Sequence, residues 1–261
     1  MASVEGPPRG LTRDVDVRRS GDRFRTKTDW LDSAHSFSFG PHYDPANTHF
    51  GLLCVHNDDV VQPGTGFDPH SHRDMEIVTW VLEGSLVHED SAGHRGLIYP
   101  GLAQRMSAGT GIEHSERNDS WRLGEERHSD PVHFVQMWLP PDTESLSPGY
   151  EQFDVSAALA GGGLVTLASG MPEHRGAAAV RIAQQDAALH AGRLDTGGRV
   201  RLPVEPYVQL YVARGAVDLE GSGRLERGDA ARITRGEGER VTAVAPTEVL
   251  VWAMRSRLAG L

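Results

Sequence analysis

The two halves of the sequence repeat one plan of strands and turns, and this repetition restricts the fold more than any other feature. In the first half, an apolar run ends at Gly84 and leads through an alternating segment to a second turn at Gly101. In the second half, the corresponding turns fall at Gly215 and Gly228. Short strands punctuated by glycine and repeated in tandem are typical of a duplicated β-barrel or jelly roll. We therefore predict an all-β chain of two tandem barrels.

Proline and glycine also mark the predicted boundary between the halves. The segment from Pro140 to Gly149 interrupts the strand pattern directly after a strongly apolar strand. Such a segment is a plausible linker between two β-rich domains. We predict a flexible N-terminus over residues 1–21, an N-terminal metal-binding barrel over 22–139, a linker over 140–150, and a C-terminal barrel without a metal site over 151–261.

Length, charge and cysteine content limit the classes of function. A chain of 261 residues has room for two domains. Its formal net charge of −10 argues against direct binding to nucleic acids or to anionic membranes. No apolar run approaches the roughly 20 residues that cross a bilayer, and the single cysteine, Cys54, excludes an intramolecular disulfide. These features predict a cytoplasmic protein.

Two clusters of metal-binding side chains occur in the first half, at the spacing of a β-strand. His70 and His72 are two residues apart, and so are His114 and Glu116. Residues two apart on a strand point to the same face, so each cluster can direct both side chains to one point. Three imidazoles and one carboxylate suit Fe²⁺, Mn²⁺, Co²⁺, Ni²⁺, Cu²⁺ or Zn²⁺, and disfavour Ca²⁺ and Mg²⁺. The sequence thus predicts a transition-metal site.

The second half lacks a comparable set of ligands. Counting from its glycine turns, the corresponding positions are Arg201, Pro203, Val241 and Ala243. None of the four reproduces the set of the first half. We expect one divalent metal ion per chain, with a second barrel that is structural.

Several longer motifs of the first half resemble the cupin superfamily and, within it, the pirin family. They are FDPHSHRDME at 67–76, VLEG at 81–84, HEDSAG at 88–93 and MSAGTGIEHSE at 106–116. The segments WLDSAHSFSFG at 30–40 and NDD at 57–59 are similar to those of bacterial pirins. The similarity covers about residues 22–150, whereas the second half resembles the family only in architecture.

The resemblance implies a bicupin fold and a single iron-type centre, with Fe²⁺ as the expected ion. It assigns the ligands to His70, His72, His114 and Glu116. For some bacterial members it also implies quercetin 2,3-dioxygenase activity, in which a small aromatic or enol substrate reacts with O₂. Glu116 or a nearby carboxylate is the expected general base. Glu76 stands where many other cupins place a carboxylate ligand, so by residue type it is a fifth candidate ligand. We favour the alternative that it is a partner that holds an imidazole.

Two other functions remain open at this point. Longer eukaryotic pirins are described as iron-dependent, redox-sensing regulators, so this chain could act through protein partners. It could also be a different cupin enzyme that acts on another small molecule.

We further expect His88 and His94 to lie at the surface beside a hairpin turn. Gln136 could face the cavity or form only a cross-strand hydrogen bond.

Overall fold

A computed structural model describes residues 4–6 and 10–259, and the regular secondary structure of these residues is almost entirely β-strand. The strands up to the middle of the chain are β1 (Val4–Glu5), β2 (Asp14–Arg18), β3 (Phe24–Lys27), β4 (Leu31–His35), β5 (Val55–Val61), β6 (Gly66–His72), β7 (Glu76–Glu83), β8 (Leu86–Asp90), β9 (Arg95–Ile98), β10 (Leu102–Ser107), β11 (Ile112–Arg117), β12 (Val132–Leu139) and β13 (Gly149–Asp154).

One short helix, α1 (Ser156–Leu159), precedes the second set of strands. These are β14 (Leu164–Ser169), β15 (Val180–Arg181), β16 (Ala187–Leu194), β17 (Arg199–Arg201), β18 (Tyr207–Arg214), β19 (Ala216–Leu219), β20 (Gly223–Glu226), β21 (Ala230–Thr234), β22 (Arg240–Ala243), β23 (Thr247–Met254) and β24 (Arg257–Leu258). Three 3₁₀ turns lie at Ser20–Asp22, Ser120–Leu123 and Pro172–His174. In the described part of the chain, no helix has the length and apolar character needed to span a membrane.

Each half of the chain forms a barrel from one large and one small sheet. In the first barrel, a seven-stranded sheet of order β13-β10-β7-β12-β5-β4-β3 faces a four-stranded sheet of order β6-β11-β8-β9. In the second, the orders are β15-β14-β16-β23-β18-β21-β2 and β17-β22-β19-β20. The prediction of two tandem jelly-roll barrels is confirmed.

The repeated glycine turns have the same structure in both barrels. Gly84 and Gly215 have φ values of +74° and +71°, in the left-handed region that disfavours other residues. A β-carbon at Gly84 would lie 3.0 Å from the carbonyl oxygen of Pro131, and one at Gly215 would lie 2.3 Å from that of Pro246. Glycine is therefore required for the turn and for the close approach of the neighbouring strand.

The largest hydrophobic core lies between the two barrels. It joins Trp80 and Met137 of the first large sheet to Trp252, Tyr211 and residues around them in the second. The indole N–H of Trp252 lies 3.2 Å from the sulfur of Met137 across this interface. The barrels thus bury one face of each large sheet against the other, which leaves the inner faces to form separate cores.

The N-terminal segment differs from the expectation of a flexible 1–21. Residues 14–18 form β2, which pairs with β21 of the second barrel. Val15 packs against the core of that barrel, and Arg19 forms an ion pair of 2.7 Å with Asp229. The alternation of Val15 and Val17 supplies an apolar face that a sheet edge can bury. Residues 1–3 and 7–9 lie outside the described residues.

The predicted linker and second-domain boundaries also differ from the structure. Residues 149–154 form β13, which pairs along its whole length with β10. The first barrel therefore continues to Asp154, beyond the predicted end at residue 139, and the connection that crosses to the second barrel follows it. Because β13 contains few apolar residues, the sequence pattern did not predict that it pairs with β10.

Candidate metal centre

The antiparallel pairing of β6 and β11 brings the two predicted ligand clusters together. His70 lies directly opposite His114, and His72 lies opposite Ile112. Along β11, buried side chains alternate with more exposed ones, and His114 and Glu116 are both on the buried face. The spacing of two residues thus places the ligand candidates inside the first barrel, because alternate side chains of a strand share one face.

Three imidazoles form the centre of this cluster. The ring centroid of His70 lies 4.9 Å from that of His72 and 4.5 Å from that of His114, and the centroids of His72 and His114 are 5.0 Å apart. One ligand nitrogen from each ring lies within 4.8 Å of the others. A second group with the same limit contains His114, Glu116 and His88. His114 therefore connects the three imidazoles to the carboxylate.

The nitrogens of the cluster fit a divalent metal ion. Nε2 of His72 and Nε2 of His114 are buried and have no hydrogen-bond partner among the described residues. Nδ1 of His70 donates a hydrogen bond of 2.8 Å to the carbonyl oxygen of Asp68, so Nε2 is the ring nitrogen of His70 that remains available to a metal. Buried nitrogens without partners are costly unless something binds them. A metal ion bound by these nitrogens removes that cost.

Burial also keeps two of the imidazoles neutral. Burial, together with the neighbouring His114 and His70, lowers the pKa of His72 to about 4. Burial, with smaller effects from His70 and His88, lowers the pKa of His114 to about 3. Both rings are therefore unprotonated near neutral pH, as metal ligation requires.

Glu116 is held by a side chain from the opposite sheet. Gln136 on β12 donates hydrogen bonds of 2.8 and 2.7 Å to the two carboxylate oxygens. The amide oxygen of Gln136 in turn accepts a hydrogen bond of 2.9 Å from the indole N–H of Trp138. Gln136 thus faces the cavity and does not form only a cross-strand hydrogen bond. It also fixes the orientation of the Glu116 carboxylate.

His88 was expected at the surface, and this expectation is wrong. The His88 side chain is fully buried, and its Nδ1 lies 3.5 Å from Nδ1 of His114. Its Nε2 donates a hydrogen bond of 3.2 Å to Asp90, so Nδ1 is left to accept one. A signal for this position was present, because His88 follows the buried Leu86 by two residues and shares its face. His94, which binds the same Asp90, is partly exposed.

Glu76 does not hold an imidazole, contrary to the interpretation made from its place in the motif. Its carboxylate accepts a hydrogen bond of 2.8 Å from the hydroxyl of Ser107, and burial raises its pKa. Val78 and Trp80, which share its face of β7, belong to the core between the barrels. Thr79 on the opposite face contacts Glu116. Glu76 therefore points away from the imidazoles.

In the second barrel, apolar side chains occupy the corresponding positions. Val200 pairs with Val241 across β17 and β22, as His70 pairs with His114 across β6 and β11. The glycine spacing matched Arg201 to His70, but Arg201 is one residue beyond Val200 and its side chain is exposed. Both groups of potential metal ligands found among the described residues lie in the first barrel.

A cavity of about 280 Å³ opens beside the cluster. His70, Glu116 and Gln136 line it together with the aromatic rings of Phe39 and Trp138. Trp138 packs edge-on against His72, with ring centroids 4.7 Å apart. The volume is close to the lower limit of about 300 Å³ that is usual for small-molecule sites. A planar aromatic molecule is the kind of ligand that such walls accommodate.

The comparison with known proteins agrees with this architecture. The family model described as Pirin matches residues 17–139, and the model of the quercetinase C-terminal cupin domain matches residues 167–254. A Mycobacterium bovis protein named "Putative quercetin 2,3-dioxygenase" is 54% identical over 248 residues, which cover 95% of this chain and 98% of that protein. The chain belongs to the pirin family.

Two further relatives of this pirin carry informative names. The Escherichia coli K12 protein named "Quercetin 2,3-dioxygenase" is 44% identical over 136 residues, which cover 52% of the pirin and 56% of that protein. A crystal structure of the bacterial pirin YhhW from Escherichia coli in complex with nickel(II) superposes with a TM-score of 0.80 and 31% identity, over 93% of this chain and 99% of that one. The family predicted from the motifs is confirmed.

Proposed function

We propose that this pirin is a metal-dependent dioxygenase that cleaves quercetin or a related flavonol or enol with O₂. The observation that carries the proposal is the position of His70 and Glu116, which line one cavity with Phe39 and Trp138. Metal ligands and aromatic walls at the same cavity can bind a planar molecule and activate it. The names of the mycobacterial and Escherichia coli relatives support the same reaction.

In this proposal, His70, His72, His114 and Glu116 hold one divalent transition metal, and Fe²⁺ is the expected native ion. Four protein ligands would leave room for a substrate group on an ion that accepts six ligands. The nickel(II) complex of a related pirin supports a metal at this site without fixing its identity in this chain. When bound, the metal lowers the pKa of the substrate hydroxyl group that contacts it.

The side chains around the cluster then bind the substrate and move its proton. The carboxylate of Glu116 accepts the proton of the substrate hydroxyl as a general base. Gln136 donates two hydrogen bonds to that carboxylate and keeps it oriented. Phe39 and Trp138 contact the faces and edges of the substrate rings and keep water away from them. The product is the ring-opened ester, and carbon monoxide is released.

The proposal is tested by turnover with quercetin. The protein is stripped of metal, reloaded with iron, cobalt or nickel, and mixed with quercetin in an oxygen electrode cell with a carbon monoxide assay. We expect one O₂ consumed for each carbon monoxide released, and no consumption by the metal-free protein. The variant His114→Ala serves as the control for a lost ligand. Absence of turnover with all three metals contradicts the proposal and favours the regulatory role, which pull-down in both iron oxidation states then tests.

A further inference from the structure

One side of the cavity is polar, and the proposed metal site does not use it. Strands β4 and β5 contribute Ser33, His35, Asn57 and Asp59 to the cavity lining. Their register sets Ser33 beside Asp59 and His35 beside Asn57. His35 and Asn57 satisfy each other, because Nδ1 of His35 lies 2.9 Å from the side-chain oxygen of Asn57. Asp59 is the member of this group that is left incompletely paired.

The carboxyl group of Asp59 is buried with an unsatisfied oxygen. The residue is 3% exposed, and its Oδ1 has no hydrogen-bond partner within the described part of the chain. Ser33 of β4 hydrogen-bonds to the carboxyl group on one side. On the other side, Asp59 pairs with Phe134 of β12, which has no polar side-chain atom. An unpaired buried polar group costs about 1–3 kcal/mol. A ligand that brings a hydroxyl group to Asp59 removes this cost.

The arrangement suits a hydroxyl group better than a charged partner. Burial, with smaller effects from the charges of Asp58 and Glu116, raises the pKa of Asp59 to about 7. A hydroxyl group both donates and accepts hydrogen bonds, so it pairs with either form of the carboxyl group. A cationic ligand group would instead require the charged form in a largely apolar cavity.

We propose that Asp59 binds a hydroxyl group of the substrate other than the one held at the metal, and so selects polyhydroxylated aromatic compounds. The proposal rests on the proposed function of the same cavity. A substrate without the second hydroxyl leaves the Asp59 oxygen unpaired, and sites built to bind a hydroxyl discriminate strongly against analogues that lack it. Asp59 is thus a residue that determines specificity.

Two flavonols separate this role from metal binding. Quercetin carries hydroxyl groups on both ring systems, whereas 3-hydroxyflavone carries only the one expected at the metal. The quantity measured is the ratio of kcat/KM for quercetin to that for 3-hydroxyflavone, from O₂ uptake by the metal-loaded protein. The ratio of the two dissociation constants, from quenching of protein fluorescence, is measured in parallel.

We expect Asp59→Ala to lower both ratios by about tenfold or more, which corresponds to the loss of one hydrogen bond to a buried group. Asp59→Asn keeps a group that can pair with a hydroxyl, so it should retain most of the selectivity. Asp29→Ala, at an exposed position of the same barrel, is the matched control. Metal content should match the wild type in all three variants. If Asp59→Ala does not fold, Asp59→Leu fills the same space and gives the same comparison.

The outcomes distinguish this inference from the proposed function. Turnover of both flavonols with an unchanged ratio in Asp59→Ala overturns the role of Asp59 and leaves the dioxygenase proposal standing. Binding without turnover overturns the dioxygenase reaction, and the ratio of dissociation constants then decides on Asp59. If neither flavonol binds the metal-loaded protein, both proposals are overturned.

Discussion

Gln136 donates hydrogen bonds to both carboxylate oxygens of Glu116, at 2.8 and 2.7 Å. The two residues come from different sheets of the first barrel, β12 and β11, so the pair connects the two walls of the cavity. A carboxylate fixed at both oxygens has little freedom to rotate. Its position relative to the imidazoles is therefore determined before any ligand enters.

Replacing Gln136 by Leu should free the Glu116 carboxylate and lower turnover. Partners that orient metal ligands typically contribute about 10–100-fold to metal affinity or activity, and we expect a loss of that size. The comparison is Gln209→Leu, a buried glutamine on β18 of the second barrel, which should retain activity. Steady-state O₂ uptake and metal titration measure the two effects. Equal activity of both variants would show that the Gln136 contact is unimportant.

The purified protein should bind about one divalent transition metal ion per chain. His114→Ala removes a nitrogen of the cluster and should reduce metal affinity by at least about 10–100-fold, since losses of partners beyond the ligands already reach that size. His190→Ala removes a buried imidazole of the second barrel and should leave the metal content per chain unchanged. Elemental analysis after dialysis gives the stoichiometry. Two ions per chain, or none after reconstitution with iron, contradicts the single site.

Glu116 and Glu76 are both buried, but their substitutions should have different effects on metal binding. Glu116→Gln should lose metal, because it converts the one carboxylate of the cluster to a neutral amide. Glu76→Gln should retain metal, because the Glu76 side chain lies on the face of β7 that points away from the imidazoles. There it pairs with Ser107 of β10. Both variants change one oxygen to an amide nitrogen, so they are matched in size. Metal retained by Glu116→Gln and lost by Glu76→Gln would reverse the assignment of the carboxylate ligand.

His88 should position His114. If Nε2 of His114 binds the metal, its Nδ1 carries the hydrogen and donates it to His88, which Asp90 orients in turn. We expect His88→Ala to weaken metal binding by roughly 10–100-fold. His94→Ala also removes an imidazole bound to Asp90, but one at the surface, and should have little effect. In the cobalt-loaded protein, the visible absorption bands should shift for His88→Ala alone, and a shift in neither variant would rule out this role.

The isolated first domain should be poorly soluble. A chain that ends at Pro148 loses β13 from the first sheet and the whole second barrel, and thus exposes Trp80 and Met137 of the core between the barrels. Large exposed apolar faces promote aggregation. Arg201→Ala in the full chain is the mild change for comparison and should leave metal content and solubility unchanged. Size-exclusion chromatography measures the outcome, and a monomeric, active fragment would show that the second barrel is dispensable.

The sequence alone determined most of the strand pattern, the two-barrel fold and the four residues offered as metal ligands, but not the strands β2 and β13. These features are local or periodic. Alternation fixes which side chains of a strand share a face, and glycine is required wherever φ is positive and a neighbouring backbone is close, as at Gly84 and Gly215. A spacing of two residues therefore predicted that each pair of ligand candidates faces one point.

Tertiary structure decided which faces meet. The sequence pattern did not reveal that Glu76 faces the second barrel or that His88 lies behind His114. Nor did it reveal that Asp59 lines the cavity and has one oxygen without a partner among the described residues. It also did not reveal that β2 crosses to the second barrel. Each of these depends on register between strands far apart in the chain, and a shift by one residue would reverse every side chain on a strand. Local pattern fixes the alternation, whereas only the packed sheets fix which side is inside.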